Sequence, residues 1–162
     1  MGRVNNKVAL VTGGASGVGK ETVELLLKEG AYVAFGDIDV QSGEALAKAC
    51  GERALFLRHD VSNEAEWQEV IAKVQAHFGP LDILINNAGI LLPGSIETAT
   101  LAQFRQLMQV NADSCFLGCQ QGIAAMKERG GSIVNMASVS TWLPIEGYAG
   151  YSASKAAVAA LT

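Results

Sequence analysis

Cysteine and histidine are scarce in this sequence and do not cluster. The 162 residues include three cysteines and two histidines. Cys50 stands alone, whereas Cys115 and Cys119 are one helical turn apart and have no histidine or further cysteine beside them. An odd, dispersed set of this kind supplies no metal-ligand cluster, so we expect no metal site and expect the thiols to lie in the core as small apolar groups.

Long apolar runs and an excess of positive charge are also absent. No apolar run approaches the roughly 18 residues of a membrane-spanning helix. Twelve Lys and Arg against 16 Asp and Glu give a net charge of −4, which argues against nucleic acid or an anionic membrane as a partner. The N-terminal stretch runs directly into an apolar strand without the architecture of a signal peptide. We therefore expect a cytoplasmic protein.

The sequence does have an alternation of short apolar runs with helical patterns. Apolar residues make up 49% of a length that suits one domain, 1–162. The alternation is typical of βαβ units and predicts an α/β fold with a parallel sheet. Strands are predicted at 8–11, 31–35, 54–57, 81–85 and 132–137. Helices are predicted after Gly19 as far as Lys28 or Glu29, over 43–50 as most of a helix, at 63–78 and 100–129, and from Tyr151 onward.

The predicted helix 100–129 contains three residues that are unfavourable in a helix interior. Gly118 and Gly122 each weaken it by roughly 1 kcal/mol relative to alanine. They suggest close approach of another helix, either within the chain or across a subunit interface. Asn111 either faces solvent or is a polar group that interrupts the helix near a functional site.

A glycine-rich loop, Thr12 to Gly19, joins the first strand to the first helix. Its glycines allow a tight turn and let the backbone approach a pyrophosphate at the helix N-terminus. Three residues separate Gly13 from Gly17, so the spacing differs from G-x-G-x-x-G, and an isolated loop of this kind is often only a turn. Its place between a strand and a helix indicates a dinucleotide site. The candidate residues are Gly13, Ser16, Gly17, Val18 and Gly19.

An aspartate ends the second predicted strand. Asp37 follows Gly19 by eighteen residues, where a carboxylate can bind the ribose 2′-OH of an adenosine. It would repel a 2′-phosphate, and no arginine or lysine occupies the adjacent positions. We therefore predict NAD rather than NADP. Asp39 is the competing candidate, but its place further along the loop favours a helix cap.

Candidate site residues also follow the third and fourth predicted strands. Asp60 and Val61 would border an adenine, although they could equally be an ordinary strand end. Asn87, Ala88 and Gly89 come at the end of the fourth strand, beside the crevice where such sheets bind ligands. All five are candidate cofactor contacts.

The stretch 138–155 carries a possible acid–base pair. Tyr151 and Lys155 are four residues apart, so on a helix their side chains lie on one face. A nearby ammonium favours the phenolate and lowers the pKa of a tyrosine. Ser138 follows the fifth strand, where a hydroxyl can bind a substrate oxygen.

In combination and in this order, these motifs resemble those of the short-chain dehydrogenase/reductase family. The resemblance rests on the glycine loop, Asp37, Asp60-Val61, the NNAG stretch at 86–89 and YSASK at 151–155. It implies a Rossmann-type doubly wound parallel sheet of strand order 3-2-1-4-5 with helices on both faces. It also implies an NAD-dependent oxidoreductase that interconverts a secondary alcohol and a ketone without a metal.

The resemblance assigns a catalytic tetrad of Asn111, Ser138, Tyr151 and Lys155. Tyr151 would take the alcohol proton, Lys155 would hold the phenolate and bind the nicotinamide ribose, Ser138 would position the alcohol, and Asn111 would hold a relay water. Tyr151 and Lys155 thus also count as cofactor contacts. Residues 142–144 would form an apolar wall suited to a hydroxysteroid or similar cyclic alcohol, or would simply pack the loop.

The resemblance covers only the first two-thirds of the family pattern, because the chain stops inside its last predicted helix. We therefore expect a sheet that is incomplete at its C-terminal side. Two alternatives follow: a non-catalytic dinucleotide-binding fragment or assembly partner, and an NADPH-dependent reductase, which Asp37 disfavours. Family members also lead us to expect a homodimer or homotetramer, built partly through the helix 100–129 and the helix that begins at Tyr151.

Overall fold

The computed structural model describes residues 2–162, which form a five-stranded parallel sheet of order β3-β2-β1-β4-β5. Central strand β1 pairs with β2 and β4, so Leu10 lies between Ala34 and Leu84. The predicted fold class and strand order are confirmed. The strands are Val8–Thr12 (β1), Tyr32–Asp37 (β2), Ala54–Arg58 (β3), Ile83–Asn86 (β4) and Ser132–Asn135 (β5).

Helical segments connect the strands and follow the last one. They are Gly17–Lys28 (α1), Val40–Cys50 (α2), Glu64–Phe78 (α3), Leu101–Leu107 (α4), the π-helical segment Met108–Asp113, Ser114–Met126 (α5), the 3-10 turn Val139–Thr141 and Ala149–Ala160 (α6). Below, Met108–Asp113 is called the π turn. In the part of the chain that the structure describes, no helix has both the length and the apolar character needed to cross a membrane.

Two apolar cores lie on opposite faces of the sheet because successive side chains of a strand point to opposite sides. Leu10 of β1 contributes to the core that contains Trp67 of α3 and Met126 of α5. Val11 contributes to the other core, with Val23 of α1. Helices therefore cover both faces of the sheet, as predicted.

Local capping explains where several helices begin. Asp39 caps α2 by accepting a hydrogen bond from the Ser42 N–H, and Asn63 caps α3 by accepting one from the Ala65 N–H. Thr100 forms a reciprocal capping box with Gln103. With Asp39 as its cap, α2 begins at Val40, so the predicted stretch 43–50 is most of this helix.

The prediction of one continuous helix over 100–129 is wrong. The helix ends at Met126 and is divided by the π turn, where hydrogen bonds reach one residue further than in an α-helix. Asn111 lies in the π turn and is only 2% exposed, so its solvent-facing interpretation is also wrong. The alternative, a polar residue that interrupts the helix, is confirmed.

The glycines of α5 allow close packing inside the chain. A Cβ at Gly118 would overlap Asn86 and lie 2.7 Å from the Trp67 ring of α3. One at Gly122 would lie 2.7 Å from Leu84 of β4. The predicted helix neighbour therefore exists for Gly118, whereas at Gly122 the close neighbour is the sheet.

Helix α6 begins at Ala149, two residues earlier than predicted. A short parallel bridge fixes this start: the Gly94 N–H donates to the Gly147 carbonyl at 2.6 Å, and the Ala149 N–H donates to the Gly94 carbonyl at 3.2 Å. The bridge ties the loop after β4 to the loop before α6. Tyr151 consequently lies in the first turn of a fixed helix.

Candidate active site

A cleft of about 610 Å³ opens at the carboxyl ends of β1 to β4, the edge at which open α/β sheets bind ligands. Most of the predicted cofactor residues line it, whereas Gly17, Tyr151 and Lys155 do not. The lining includes Gly13, Ser16, Val18, Gly19, Asp37, Asp60, Val61, Asn87, Ala88 and Gly89, together with His59 and Gln109.

Close packing explains why the loop after β1 is rich in glycine. A Cβ at Gly19 would overlap the Gly13 carbonyl oxygen, and one at Gly13 would lie 2.8 Å from the Ala88 Cα atom. Gly17 instead has a φ of +51° with open space around it. Side chains are thus excluded at two positions by sterics and disfavoured at the third by backbone conformation.

The N-terminus of α1 is suited to an anion. Its N-cap Ser16 makes no side-chain capping bond, and the first turn has no acidic residue. The first N–H groups of a helix have no intrahelical acceptor, and the helix dipole adds positive potential there. The residues present therefore fit a dinucleotide pyrophosphate in the cleft.

The Asp37 carboxylate is held at the rim of the cleft by backbone groups. Its two oxygens accept hydrogen bonds from the Ala15 N–H and the Asp39 N–H, each at 3.1 Å. Among residues 2–162 no lysine or arginine forms an ion pair with it. These two bonds fix the orientation of this half-buried carboxylate at the rim.

A threonine that the sequence analysis did not single out joins two walls of the cleft. Thr12 Oγ1 accepts hydrogen bonds from the Asn87 N–H at 3.0 Å and the Ala88 N–H at 3.1 Å. In return, Asn87 Nδ2 donates to the Thr12 carbonyl at 2.9 Å. The only signal in the sequence is a hydroxyl residue at the end of an apolar strand, which does not reveal a partner 75 positions away.

Asp60 lies in a turn of its own at the end of β3. Its carboxylate accepts hydrogen bonds from the Ser62 hydroxyl at 2.7 Å and the Ser62 N–H at 3.0 Å. These bonds hold the pKa of Asp60 below its ordinary value, and the bond from the Ser62 hydroxyl has the largest effect. The side chain borders the cleft as an ionised, internally bonded group.

His59 lies beneath this turn, as a residue just past the end of β3. Its side chain is 1% exposed, and the ring packs edge-on against Trp67 with centroids 4.6 Å apart. Neither ring nitrogen has a hydrogen-bond partner within the chain that the structure describes. Burial lowers the pKa of His59 from 6.5 to about 4, so the folded protein holds a neutral ring.

Folding stability should fall between pH 7 and pH 5 because of His59. The unfolded chain takes up a proton below pH 6.5, whereas the folded chain resists protonation down to about pH 4. The free energy of unfolding should therefore be about 2 kcal/mol lower at pH 5 than at pH 7. Urea denaturation at both pH values measures this difference. In His59→Phe, which keeps an aromatic ring beside Trp67, the difference should largely disappear, and an unchanged difference would contradict the assignment.

Lys155 projects from α6 toward the inner end of the cleft. Its side chain is buried, and Nζ donates a hydrogen bond to the Met136 carbonyl at 2.7 Å. A Cβ at Gly89 would lie 3.3 Å from Lys155 Nζ and 3.1 Å from Asn111 Oδ1. Both predicted residues therefore adjoin the cleft at Gly89, and burial lowers the pKa of Lys155.

The remaining predicted catalytic residues flank Lys155. Tyr151 lies one turn earlier on α6 and is half-buried. Ser138 follows Met136 by two residues and caps the 3-10 turn, its Oγ accepting from the Ser140 N–H at 3.2 Å. No cluster of three or more potential metal ligands occurs within residues 2–162.

Comparison with known proteins places these features in a family. The family model for short chain dehydrogenases matches residues 7–162. The chain is 66% identical over 160 residues to 3-beta-hydroxysteroid dehydrogenase of Comamonas testosteroni, covering 99% of this chain and 63% of that protein. It is 40% identical to 3-alpha-(or 20-beta)-hydroxysteroid dehydrogenase of Mycobacterium tuberculosis, with 99% and 62% covered.

A third relative is the NADP-dependent (R)-specific alcohol dehydrogenase of Lentilactobacillus kefiri, 38% identical over 96% of this chain and 64% of that protein. The chain thus spans less than two-thirds of the length of these relatives. The family match extends over the glycine loop, the NNAG turn and the YSASK helix alike. The chain belongs to the short-chain dehydrogenase family.

Proposed function

We propose that the chain is the dinucleotide-binding and catalytic part of an NAD-dependent oxidoreductase that interconverts a secondary alcohol and a ketone. One observation carries the proposal. The backbone of Gly89 lies both in the wall of the dinucleotide cleft and against Lys155 and Asn111. A substrate bound at this junction would be within reach of both the cofactor and the residues of α6.

The family uses NAD or NADP, and the cleft offers the contacts that such a dinucleotide requires. The α1 N-terminus and the loop from Gly13 to Gly19 would hold the pyrophosphate. Asp37 would hold the adenosine ribose, Asp60 and Val61 would border the adenine, and Asn87 to Gly89 would line the nicotinamide end. When bound, the cofactor supplies the hydride acceptor for alcohol oxidation.

Tyr151 is the proposed general base. Oxidation of an alcohol requires removal of its hydroxyl proton, and a phenolate can accept it when a cation is near. Lys155 supplies that cation from a buried position, with no carboxylate paired to it within the described residues. The same ammonium would bind the nicotinamide ribose.

Ser138 and Asn111 complete the proposed site. The Ser138 hydroxyl would donate to the substrate oxygen and so orient the carbinol carbon. Asn111, whose amide is fixed in the π turn, would hold a water that returns protons from Lys155 to solvent. Both roles depend on positions that the backbone already determines, since Ser138 is a helix cap and Asn111 is buried.

The preference for NAD over NADP follows from Asp37. Asp37→Ala should raise the Kd for NADH about tenfold and reduce the preference for NADH over NADPH by a similar factor, because repulsion of the 2′-phosphate is lost. Fluorescence titration of the chain with NADH and with NADPH measures both constants. Tighter binding of NADPH by the unaltered chain would contradict the assignment.

Asp39→Ala is the matched control for that substitution. Asp39 caps α2, so its loss should lower the free energy of unfolding modestly. Its side chain is not part of the cleft lining. The ratio of the two dissociation constants should therefore stay within about twofold of the unaltered chain.

The same titration tests the proposed function at its first step. Saturable NADH binding followed by reduction of NAD with a secondary alcohol would support it. Binding without turnover would favour the alternative of a dinucleotide-binding unit that is not catalytic by itself. Failure to bind either dinucleotide would contradict the proposal.

A hydroxysteroid or similar cyclic alcohol is the proposed substrate class. The segment after Ser138 exposes several large apolar side chains, with Trp142 74% and Leu143 69% exposed. Such a surface suits a flat apolar substrate, and two of the relatives described above are named hydroxysteroid dehydrogenases. We further propose a cytoplasmic homodimer or homotetramer, and three free thiols are consistent with a reducing compartment.

A further inference from the structure

A buried hydroxyl inside α6 connects Asn111 to the backbone of Tyr151. Ser154 is fully buried, and its Oγ accepts a hydrogen bond from Asn111 Nδ2 at 2.9 Å. The same hydroxyl donates to the Tyr151 carbonyl at 2.8 Å. Ser154 thus joins the π turn to the first turn of α6.

The hydrogen bonds of Asn111 are complete only with this hydroxyl. Asn111 Nδ2 also donates to the Ile90 carbonyl at 3.0 Å, and Oδ1 accepts from the Ile90 N–H at 2.8 Å. Loss of the Ser154 oxygen would leave one of the two amide hydrogens without its acceptor. A buried polar group without a partner is unfavourable, so either the side chain or the local water structure would change.

Such a change would reach Lys155, the next residue of the helix. Asn111 Oδ1 and Lys155 Nζ both contact the space beside the Gly89 backbone. Asn111 therefore forms part of the wall that separates the ammonium from bulk solvent, apart from the relay water proposed above. If Asn111 moves or water enters to satisfy its amide, the ammonium becomes better hydrated.

We propose that Ser154 is a positioning residue: its hydroxyl holds Asn111 against the Gly89 backbone and thereby keeps Lys155 desolvated beside Tyr151. The kinetic consequence of this role rests on the proposed function, whereas the hydration of Lys155 does not. Ser154 touches neither the cleft nor the substrate region in this arrangement, so it acts only through Asn111 and Lys155.

The same helix provides a matched control. Ser152 is 7% exposed, and its hydroxyl has no hydrogen-bond partner within the described residues. Ser152→Ala and Ser154→Ala both remove one buried oxygen and both introduce a good helix former. Only Ser154→Ala breaks the connection to Asn111.

The first measurement is an NMR titration of the Lys155 side chain in the unaltered chain and in both variants. The titratable groups that face it are Cys115 on α5 and Tyr151 on its own helix. The loop after β5 and the π turn contribute the neutral Met136 carbonyl and the Asn111 amide. In Ser154→Ala the midpoint should rise by about half a pH unit or more, because hydration removes part of the burial that lowers the pKa of Lys155.

The second measurement is the pH dependence of alcohol oxidation with NAD. Ser154→Ala should lower kcat about tenfold and shift the pH profile, with KM for NAD within about twofold. Ser152→Ala should match the unaltered chain in both experiments. A folded Ser154→Ala variant with an unchanged Lys155 midpoint would overturn the role of Ser154. An unaltered chain that neither binds nor reduces NAD would overturn the proposed function, while the Lys155 titration would still decide the role of Ser154.

Discussion

Tyr151→Phe should abolish turnover while leaving NADH binding nearly intact. The substitution removes one oxygen atom, and with it the group that we propose takes the alcohol proton. General acid–base catalysis contributes about 10²–10⁴-fold, so kcat should fall by about a thousandfold or more. The phenyl ring retains the packing of a half-buried side chain on a helix that the Gly94 bridge fixes. The Kd for NADH should therefore change by about threefold at most.

Tyr148→Phe is the matched control for this experiment. Tyr148 is also half-buried, lies three residues earlier and forms the N-cap of α6 without a side-chain capping bond. Its loss of a hydroxyl should leave kcat within about twofold of the unaltered chain. Near-normal activity in Tyr151→Phe, or an equal loss in both variants, would refute the assignment of the base.

Lys155→Ala should impair both binding and rate. Removal of the ammonium takes away the cation that favours the phenolate and the proposed contact to the nicotinamide ribose. We expect kcat to fall about a thousandfold and the Kd for NADH to rise about tenfold, because the two losses act on different steps. Stopped-flow fluorescence with NADH and steady-state oxidation with NAD separate them.

Lys20→Ala tests whether positive charge near the cleft is sufficient to explain that result. Lys20 lies in the first turn of α1 and pairs at 3.8 Å with Glu24, both side chains being 44% exposed. A pair this exposed contributes little, so NADH binding should stay within about twofold. If Lys20→Ala weakens NADH as much as Lys155→Ala does, the effect of Lys155 is one of general charge rather than position.

Features that depend on neighbours in the sequence were predictable. Asp39, Asn63 and Thr100 form their caps with partners two or three residues away, and helix α3 was expected over 63–78, where the structure has Glu64–Phe78. The order of motifs along the chain likewise predicted which residues would gather at the carboxyl edge of the sheet. Local hydrogen bonds and periodicity were sufficient here because each involves one turn or one strand.

Features that depend on distant partners were not predictable in the same way. The π turn surrounds Asn111, whose partners Ile90 and Ser154 are 21 and 43 residues away. The apolar spacing before and after it is compatible with one helix, and only the unfavourable asparagine at position 111 indicated a possible break. Thr12 was missed for the same reason, since its role arises from Asn87, 75 residues later.

The burial of a polar side chain without a hydrogen-bond partner was also not predictable from the sequence. His59 reads as a polar residue at a strand end, and nothing adjacent to it indicates that Gly36 and Trp67 enclose its ring. The absence of a side chain at Gly36 supplies the room, because a Cβ there would lie 2.7 Å from His59 Cβ. The pairing of β2 with β3 is what brings Gly36 beside His59.

Because of the π turn, the effect of deleting one residue depends on where in 101–126 the deletion falls. A π turn holds one residue more than the α-helical path would need, so deletion of one residue within 108–113 could restore regular α-helix there. Because the π turn accommodates the extra residue locally, the deletion would leave α4 and α5 near their present relative orientation. Such a deletion would preserve the helix content. It would remove the widened turn that places Asn111 beside Ile90 and Ser154, and so move Asn111 away from both.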